Sequence, residues 1–202
     1  MALWLGRDPL VLASRSAARQ ALLEASGVAV AVYPADLDER RLEGNAAVTA
    51  SGEVALMLAR EKAAAVASRH RGRLVLGADQ TLAFAERRFS KPADRAAARE
   101  QLLALRGRTH QLQAAIAFVR DATVLFEHVA VAQLTMRDFS ERFLDLYLDA
   151  AGEAATASVG AYQIEGLGIQ LFERIKGDYF TVLGLPLIET LDYLRRGGYL
   201  VP

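Results

Sequence analysis

A carboxylate at the end of an apolar run is the first residue in this chain placed to do chemistry. Asp79 follows Leu74-Val75-Leu76-Gly77-Ala78, which reads as a buried strand. In open α/β sheets the carboxyl ends of the strands face the ligand crevice. A carboxylate there can hold a divalent cation or take a proton from water. An Asp that only caps the turn after its strand has the same spacing. Ser14, Ser16 and Arg19 form a second group. A strand, a short Ser turn and a helix start aim backbone N–H groups and the helix dipole at an anion. Arg19, one turn into the helix, can add a forked contact to phosphate. The turn lacks the Gly-rich loop of a P-loop, and an N-cap followed by a solvated Arg reads identically.

The rarity of lysine singles out more candidates. Of the 24 basic residues, 21 are Arg and three are Lys, beside 38 Ala, the pattern of a GC-rich genome. Lys91 is held by Pro92 just before a helix, a place suited to a phosphate contact. Lys62 lies at the edge of an apolar helical stripe. Lys176 sits by Gly177 in a turn and reads as surface. Asp36, Asp38 and Glu39 form an acidic loop able to bind Mg²⁺, or simply a solvated one. His110 and His128 fall within alternating strands and read as structural. Together the residues describe a site for a polyanionic phosphate ligand, with carboxylates for a divalent metal.

These side chains need elements to hold them. Apolar runs place strands at Leu10–Ala13, Val28–Tyr33 and Leu74–Ala78, with Thr81–Ala85 continuing extended and Glu86-Arg87-Arg88 as a turn. Helices are expected over Ala17–Ala25, with Ser16 as N-cap and Gly27 as stop, and over Ala47–Arg69. Another opens at Pro92 or Asp94 and runs to Leu105. Thr109–Arg120 and Thr123–Met136 read as long antiparallel strands turning at Asp121-Ala122. A helix from Asp138 or Ser140 to Leu148 follows. Ala150–Gly168 reads as a small-residue loop with an extended core at Ala161–Ile164. Ile169–Ile175 reads as a strand and Leu185–Arg196 as the last helix, with Pro186 in its first turn. The fold class is a mixed α/β chain with one core sheet, organised over residues 1–202 as a single domain or as two small lobes.

Composition excludes several function classes. The 24 basic and 24 acidic residues leave no net charge, so a nonspecific nucleic-acid partner is not expected. The absence of cysteine removes disulfides, thiolate metal sites and a Cys nucleophile. No run approaches the ~18 unbroken apolar residues of a membrane span, and the start lacks the pattern of a signal peptide. A cytoplasmic location without membrane association is expected.

In order, these segments resemble the Maf family of nucleotide pyrophosphatases from Leu10 to about Tyr199. Leu10-Val11-Leu12-Ala13-Ser14-Arg15-Ser16 resembles its opening strand and Ser turn. Asp38-Glu39 resembles its acidic loop, Glu61-Lys62-Ala63 its Glu-Lys-Ala helix, and Gly77-Ala78-Asp79 its Gly-x-Asp strand end. Lys91-Pro92, Leu105-Arg106-Gly107-Arg108-Thr109-His110, Gly160-Ala161-Tyr162 through Gly166, and Val182-Leu183-Gly184-Leu185-Pro186-Leu187 follow. The resemblance implies a two-lobed α/β architecture with a central cleft, similar to inosine triphosphate pyrophosphatases. It implies hydrolysis of a nucleoside triphosphate to monophosphate and pyrophosphate, dependent on Mg²⁺ or Mn²⁺, by a homodimer. It implies that Asp79 is the catalytic base and a metal ligand with Glu39, and that Ser14, Arg19, Lys62 and Lys91 contact phosphate.

Some positions depart from the common pattern. Ser16-Ala17-Ala18-Arg19 stands for Ser-Pro-Arg-Arg, Gln80 for Thr, Ala157-Ser158-Val159-Gly160 for Asp-Lys-Ala-Gly, and Glu165 for Gln. Gln80, Glu165-Gly166 and Gly168 to Arg174 resemble the branch acting on 7-methyl-GTP, which usually has Trp at the place of Ala18. Ala18, Gln80 and Glu165 are therefore the positions expected to set base preference. A dTTP/UTP pyrophosphatase, or a nucleotide-binding regulator of septum formation with little hydrolysis, are the alternatives.

Overall fold

The structure, a computed structural model, describes residues 3–45 and 48–202. The strands are β1 (Leu10–Ala13), β2 (Val30–Val32), β3 (Val75–Phe84), β4 (Arg87–Phe89), β5 (Thr109–Arg120), β6 (Thr123–Met136) and β7 (Phe172–Lys176). The helices are α1 (Ala17–Ala25), α2 (Glu39–Asn45), α3 (Ser51–Ala67), α4 (Arg95–Leu105), α5 (Glu141–Ala151), α6 (Ala154–Ala157), α7 (Tyr179–Val182) and α8 (Leu187–Arg196). Among the described residues the strands form one mixed sheet in the order β2-β1-β3-β5-β6-β7, with β4 paired to β3 off that path. β1 is parallel to β2 and β3, whereas β3–β4 and β6–β7 are antiparallel. The expected α/β mixed sheet is present. No helix among the described residues is long and apolar enough to cross a membrane.

The chain divides into two compact units. The first holds the residues up to Gln80, Ala114–Ala130 and Tyr179–Pro202; the second holds Thr81–Gln113 and Val131–Asp178. In the first, strand residues alternate between two buried faces. Leu10, Leu12, Leu74, Leu76, Ile116 and Phe118 share a cluster with Leu23 of α1 and Leu187 and Leu194 of α8. Val11, Ala13, Val75 and Val119 pack instead on Ala63, Val66 and Ala67 of α3. Burial on both faces explains why β1 and the start of β3 are continuously apolar rather than alternating. In the second unit, α4 and α5 are tied by Arg95–Asp149, Arg99–Glu141 and Arg99–Asp145 ion pairs. Its buried polar centre is His110, whose Nε2 lies 2.7 Å from the Tyr162 hydroxyl, while the Tyr147 hydroxyl donates to the Ala161 carbonyl at 2.9 Å.

Several expectations need correction. The acidic segment Asp36–Gly44 is not all loop: α2 begins at Glu39, and the Asp38 side chain accepts from the Arg41 amide as a local cap. Charge alone hid a short helix that Asp38 starts. The expected helix start at Ala47 lies outside the described residues, and α3 opens at Ser51. Arg87 and Arg88 are strand, not turn. The turn is Ala85-Glu86, with Ala85 at φ 53°, and Phe84 pairs with Arg87. A two-residue hairpin needs a left-handed residue, and Ala there gives no signal. In Ala161–Ile164 the extended stretch begins only at Tyr162, because Val159–Ala161 forms a 3₁₀ turn around Gly160 at φ 80°. The strand expected from Ile169 starts at Phe172, after a 3₁₀ turn over Leu167–Leu171.

Candidate active site

Gly77 fixes the depth at which α3 lies on β3. A Cβ on Gly77 would stand 2.0 Å from the Ala59 carbonyl oxygen and 2.8 Å from the Ala63 nitrogen. Only a glycine facing small helix residues allows so close an approach. That contact carries Lys62, the neighbour of Ala63, to Asp79 midway along β3, which runs on past the Ala78-Asp79 end expected from the sequence. Lys62 Nζ donates to Asp79 Oδ1 at 2.5 Å and pairs with Glu39 Oε1 at 2.9 Å. The Lys62 and Asp79 side chains are only 11% and 10% exposed, against 48% for Glu39. Asp79 is thus the inner partner and Glu39, in the first turn of α2, the outer one.

Arg19 holds the other side. Its Nε donates to the Gly184 carbonyl at 2.7 Å, and Nη1 donates to the Ala78 carbonyl at 2.8 Å and the Ser14 hydroxyl at 3.2 Å. The planar fork therefore ties the end of β1 and the middle of β3 to the turn between α7 and α8. Gly184 has φ 90°, a backbone state glycine favours. The Nη2 group makes no hydrogen bond to the described residues. Ser16 caps α1 by accepting from the Arg19 amide at 3.3 Å, and its own N–H donates to Ser14 Oγ at 3.2 Å. Ser14 Oγ thus accepts twice and keeps its own O–H to donate. Gln80 Nε2 donates to the Thr181 and Val182 carbonyls at 2.9 and 3.1 Å. Both amide hydrogens are spent, and Oε1 remains as an acceptor.

Burial pushes the Asp79 carboxyl up from the ordinary range; Lys62 and Arg19 pull it back, and Glu39 adds a smaller upward push. Burial lowers Arg19, against the pull of Asp79 and Glu39, yet a guanidinium stays charged in proteins. The result is a basic carboxylate beside two fixed cations. Asp79 and Glu39 converge on one ammonium, so the site already accommodates a cation between two carboxylates. Mg²⁺ takes one or two protein carboxylates with substrate phosphate oxygens completing its shell. The pair fits such an ion. No cluster of three or more His, Cys, Asp or Glu among the described residues forms a complete protein cage.

The first unit thus brings together Ser14, Arg19, Glu39, Lys62, Asp79 and Gln80 of the residues singled out by sequence. Ala18 is half-buried on α1. Lys91 and Glu165 belong to the second unit. Lys91 is exposed ahead of α4, and Glu165 is exposed in the turn before the second 3₁₀ segment. Sequence reasoning missed the carbonyls of Thr181, Val182 and Gly184, which hold Gln80 and Arg19. The Leu183-Gly184-Leu185-Pro186 pattern marked the turn, but backbone acceptors leave no side-chain signature.

The family described as Maf-like protein matches residues 9–197. A protein of Rhodopseudomonas palustris named nucleoside triphosphate pyrophosphatase is 55% identical over 200 residues, 99% of each chain. One of the same name from Nitrobacter winogradskyi is 55% identical over 195 residues, 96% of each. Another from Paramagnetospirillum magneticum is 52% identical over 194 residues, 95% of this chain and all of that one. Among solved structures, a HAM1 protein from Coxiella burnetii matches at 19% identity with a TM-score of 0.40, over 65% of this chain and 74% of that one. The family match over residues 9–197 includes every strand and helix that holds Arg19, Lys62 and Asp79, and on it the chain belongs to the Maf-like protein family.

Proposed function

We propose that this protein hydrolyses a nucleoside triphosphate at the α–β bridge, giving the monophosphate and pyrophosphate. Its relatives carry that activity in their names over nearly their full lengths. The observation that carries the reading onto this chain is the buried Lys62 bridge between Asp79 and Glu39, beside the Arg19 fork. In this reading Asp79 is the base. Its second oxygen, free of protein partners among the described residues, takes the proton of a water whose oxygen attacks a phosphorus of the bridge. The P–O bond breaks and the leaving phosphate keeps the electron pair. Lys62 and Arg19 Nη2 offset charge growing on the phosphate oxygens, and the Ser14 hydroxyl donates to one of them. Mg²⁺ or Mn²⁺ held by Glu39 and Asp79 supplies Lewis-acid charge neutralisation at the phosphates.

The remaining assignments rest on the resemblance. Lys91 contacts phosphate, and Ala18, Gln80 and Glu165 set the base preference, with 7-methyl-GTP as the favoured substrate. Two chemical features support a guanine reading. Gln80 has only an acceptor left, and a carboxylate at Glu165 suits the N1–H and N2 donors and the cationic ring of a 7-methylated guanine. The working form is a homodimer. The test is a pyrophosphate-release screen over 7-methyl-GTP, GTP, dTTP and UTP with Mg²⁺ and Mn²⁺. Pyrophosphate release, fastest on 7-methyl-GTP, is expected. A preference for dTTP or UTP would overturn the base assignment. Nucleotide binding without turnover would replace the enzyme with a nucleotide-binding regulator.

A further inference from the structure

At the opposite end of β1 from Ser14, the first unit contains a cavity of about 130 Å³. Trp4, Arg7, Asp8, Arg73, Arg120 and Tyr199 line it, together with backbone at the starts of β1 and β3. Leu10 and Ser14 are four residues apart, so roughly 13 Å of strand separates this wall from the candidate active site. The cavity is built by pairing the two ends of the chain. Trp4 bridges to Leu200, and the Leu5 amide donates to the Tyr199 carbonyl at 2.8 Å. The Trp4 ring stacks on Tyr199 with centroids 5.8 Å apart and rests over Gly6, where a Cβ would stand 2.6 Å from the ring.

Some polar groups of this wall have partners and some do not. Trp4 Nε1 and Arg120 Nε are buried without a hydrogen-bond partner. Arg120 Nη2 donates to the Tyr199 hydroxyl, and Arg73 Nη2 donates to the Pro9 carbonyl at 2.7 Å. Arg7 makes no hydrogen bond or ion pair with the described residues. Three arginines and one acid, Asp8, line the cavity, and Asp8 makes no ion pair with the described residues. The lining therefore carries an excess of positive charge, and a small oxyanion supplies the counter-charge in a geometry that guanidinium forks suit. We propose that this cavity is a binding site for a small oxyanion, phosphoryl or carboxylate, held by Arg7, Arg73 and Arg120. None of these residues belongs to the candidate active site.

Trp4 is the only tryptophan in the chain, so its fluorescence reports on this cavity. The experiment titrates the full-length protein with orthophosphate and, separately, malonate, with sodium chloride keeping ionic strength constant. A saturable change in Trp4 emission is expected for one or both anions. Saturation with orthophosphate alone identifies a phosphoryl ligand, and with malonate alone a carboxylate. Loss of a charge-assisted contact in Arg7→Ala or Arg73→Gln should weaken binding by roughly 10-fold or more. Asp79→Asn, altered only at the other end of the sheet, should titrate like the wild type. Arg7 is exposed, so its variant tests the site without threatening the fold. An emission change proportional to concentration without a plateau, or Arg7→Ala and Arg73→Gln titrating like the wild type, overturns the proposal.

Discussion

Acid should destabilise this protein through His110 in particular. The residue lies on β5 and is 1% exposed. Its Nε2 meets the Tyr162 hydroxyl and its Nδ1 has no partner, while Tyr162 and Phe172 rings flank it at 5.7 and 6.0 Å. Protonation would bury a charge and a second N–H with no acceptor. Burial accordingly drops the imidazole from 6.5 to about 4. The neutral ring is favoured in the folded state, so its stability is full above pH ~6.5 and falls as pH drops towards the folded value. Between pH 7.5 and pH 5 the unfolded chain takes up this proton and the folded one does not, which costs roughly 2 kcal/mol. Urea unfolding of the wild type and His110→Gln at both pH values isolates the term, because every other titrating group is common to the two proteins. His110→Gln should be less stable at pH 7.5 through lost packing, and that deficit should shrink by roughly 2 kcal/mol at pH 5. Parallel pH dependences of the two proteins would refute the argument that His110 is buried uncharged.

Other outcomes follow from the same geometry. Gly77→Ala should cost about 3 kcal/mol or more, because its Cβ meets helix backbone that cannot move without shifting α3; thermal unfolding measures it, and a neutral effect would remove the close contact. Lys62→Met leaves two carboxylates facing each other and should lower both stability, by about 3–5 kcal/mol, and pyrophosphatase rate; an unchanged midpoint in urea would show that the bridge holds nothing. Asp79→Asn should fold but lose ~10²–10⁴-fold in turnover, and more if metal binding goes too; near wild-type release of pyrophosphate would take Asp79 out of the chemistry. Removing divalent metal with a chelator should stop turnover, and Mg²⁺ or Mn²⁺ should restore it; full activity in excess chelator would contradict the role given to Glu39 and Asp79.

Sequence alone carried those parts of the molecule whose cause is local. The apolar runs at Leu10–Ala13 and Leu74–Ala78, the Ser16 cap, the stop at Gly27 and the long strands turning at Asp121-Ala122 each follow from side-chain type within a few residues. Asp79 could be singled out as a carboxylate after an apolar run, Arg19 as a cation one turn into a helix behind a Ser turn, and Lys62 by the rarity of lysine, although each also had an ordinary structural reading. The order of the motifs then pointed to the family. Tertiary structure decided what the charges do. Lys62 and Asp79 are seventeen residues apart, and only the contact of α3 on Gly77 closes that gap. Arg19 meets Gly184 across 165 residues through a carbonyl oxygen, a group every residue carries and no sequence pattern marks. The left-handed Ala85 and the helix at Glu39 were hidden for a related reason: Ala85, which reads as extended, is turned by the pairing of Phe84 with Arg87, and α2 is started by the short Asp38 cap in a segment that reads as loop. The three arginines gathered near Trp4 show the same limit. Arg7, Arg73 and Arg120 are ordinary surface charges in the linear chain, and only the pairing of its two ends with the starts of β1 and β3 assembles them around one cavity.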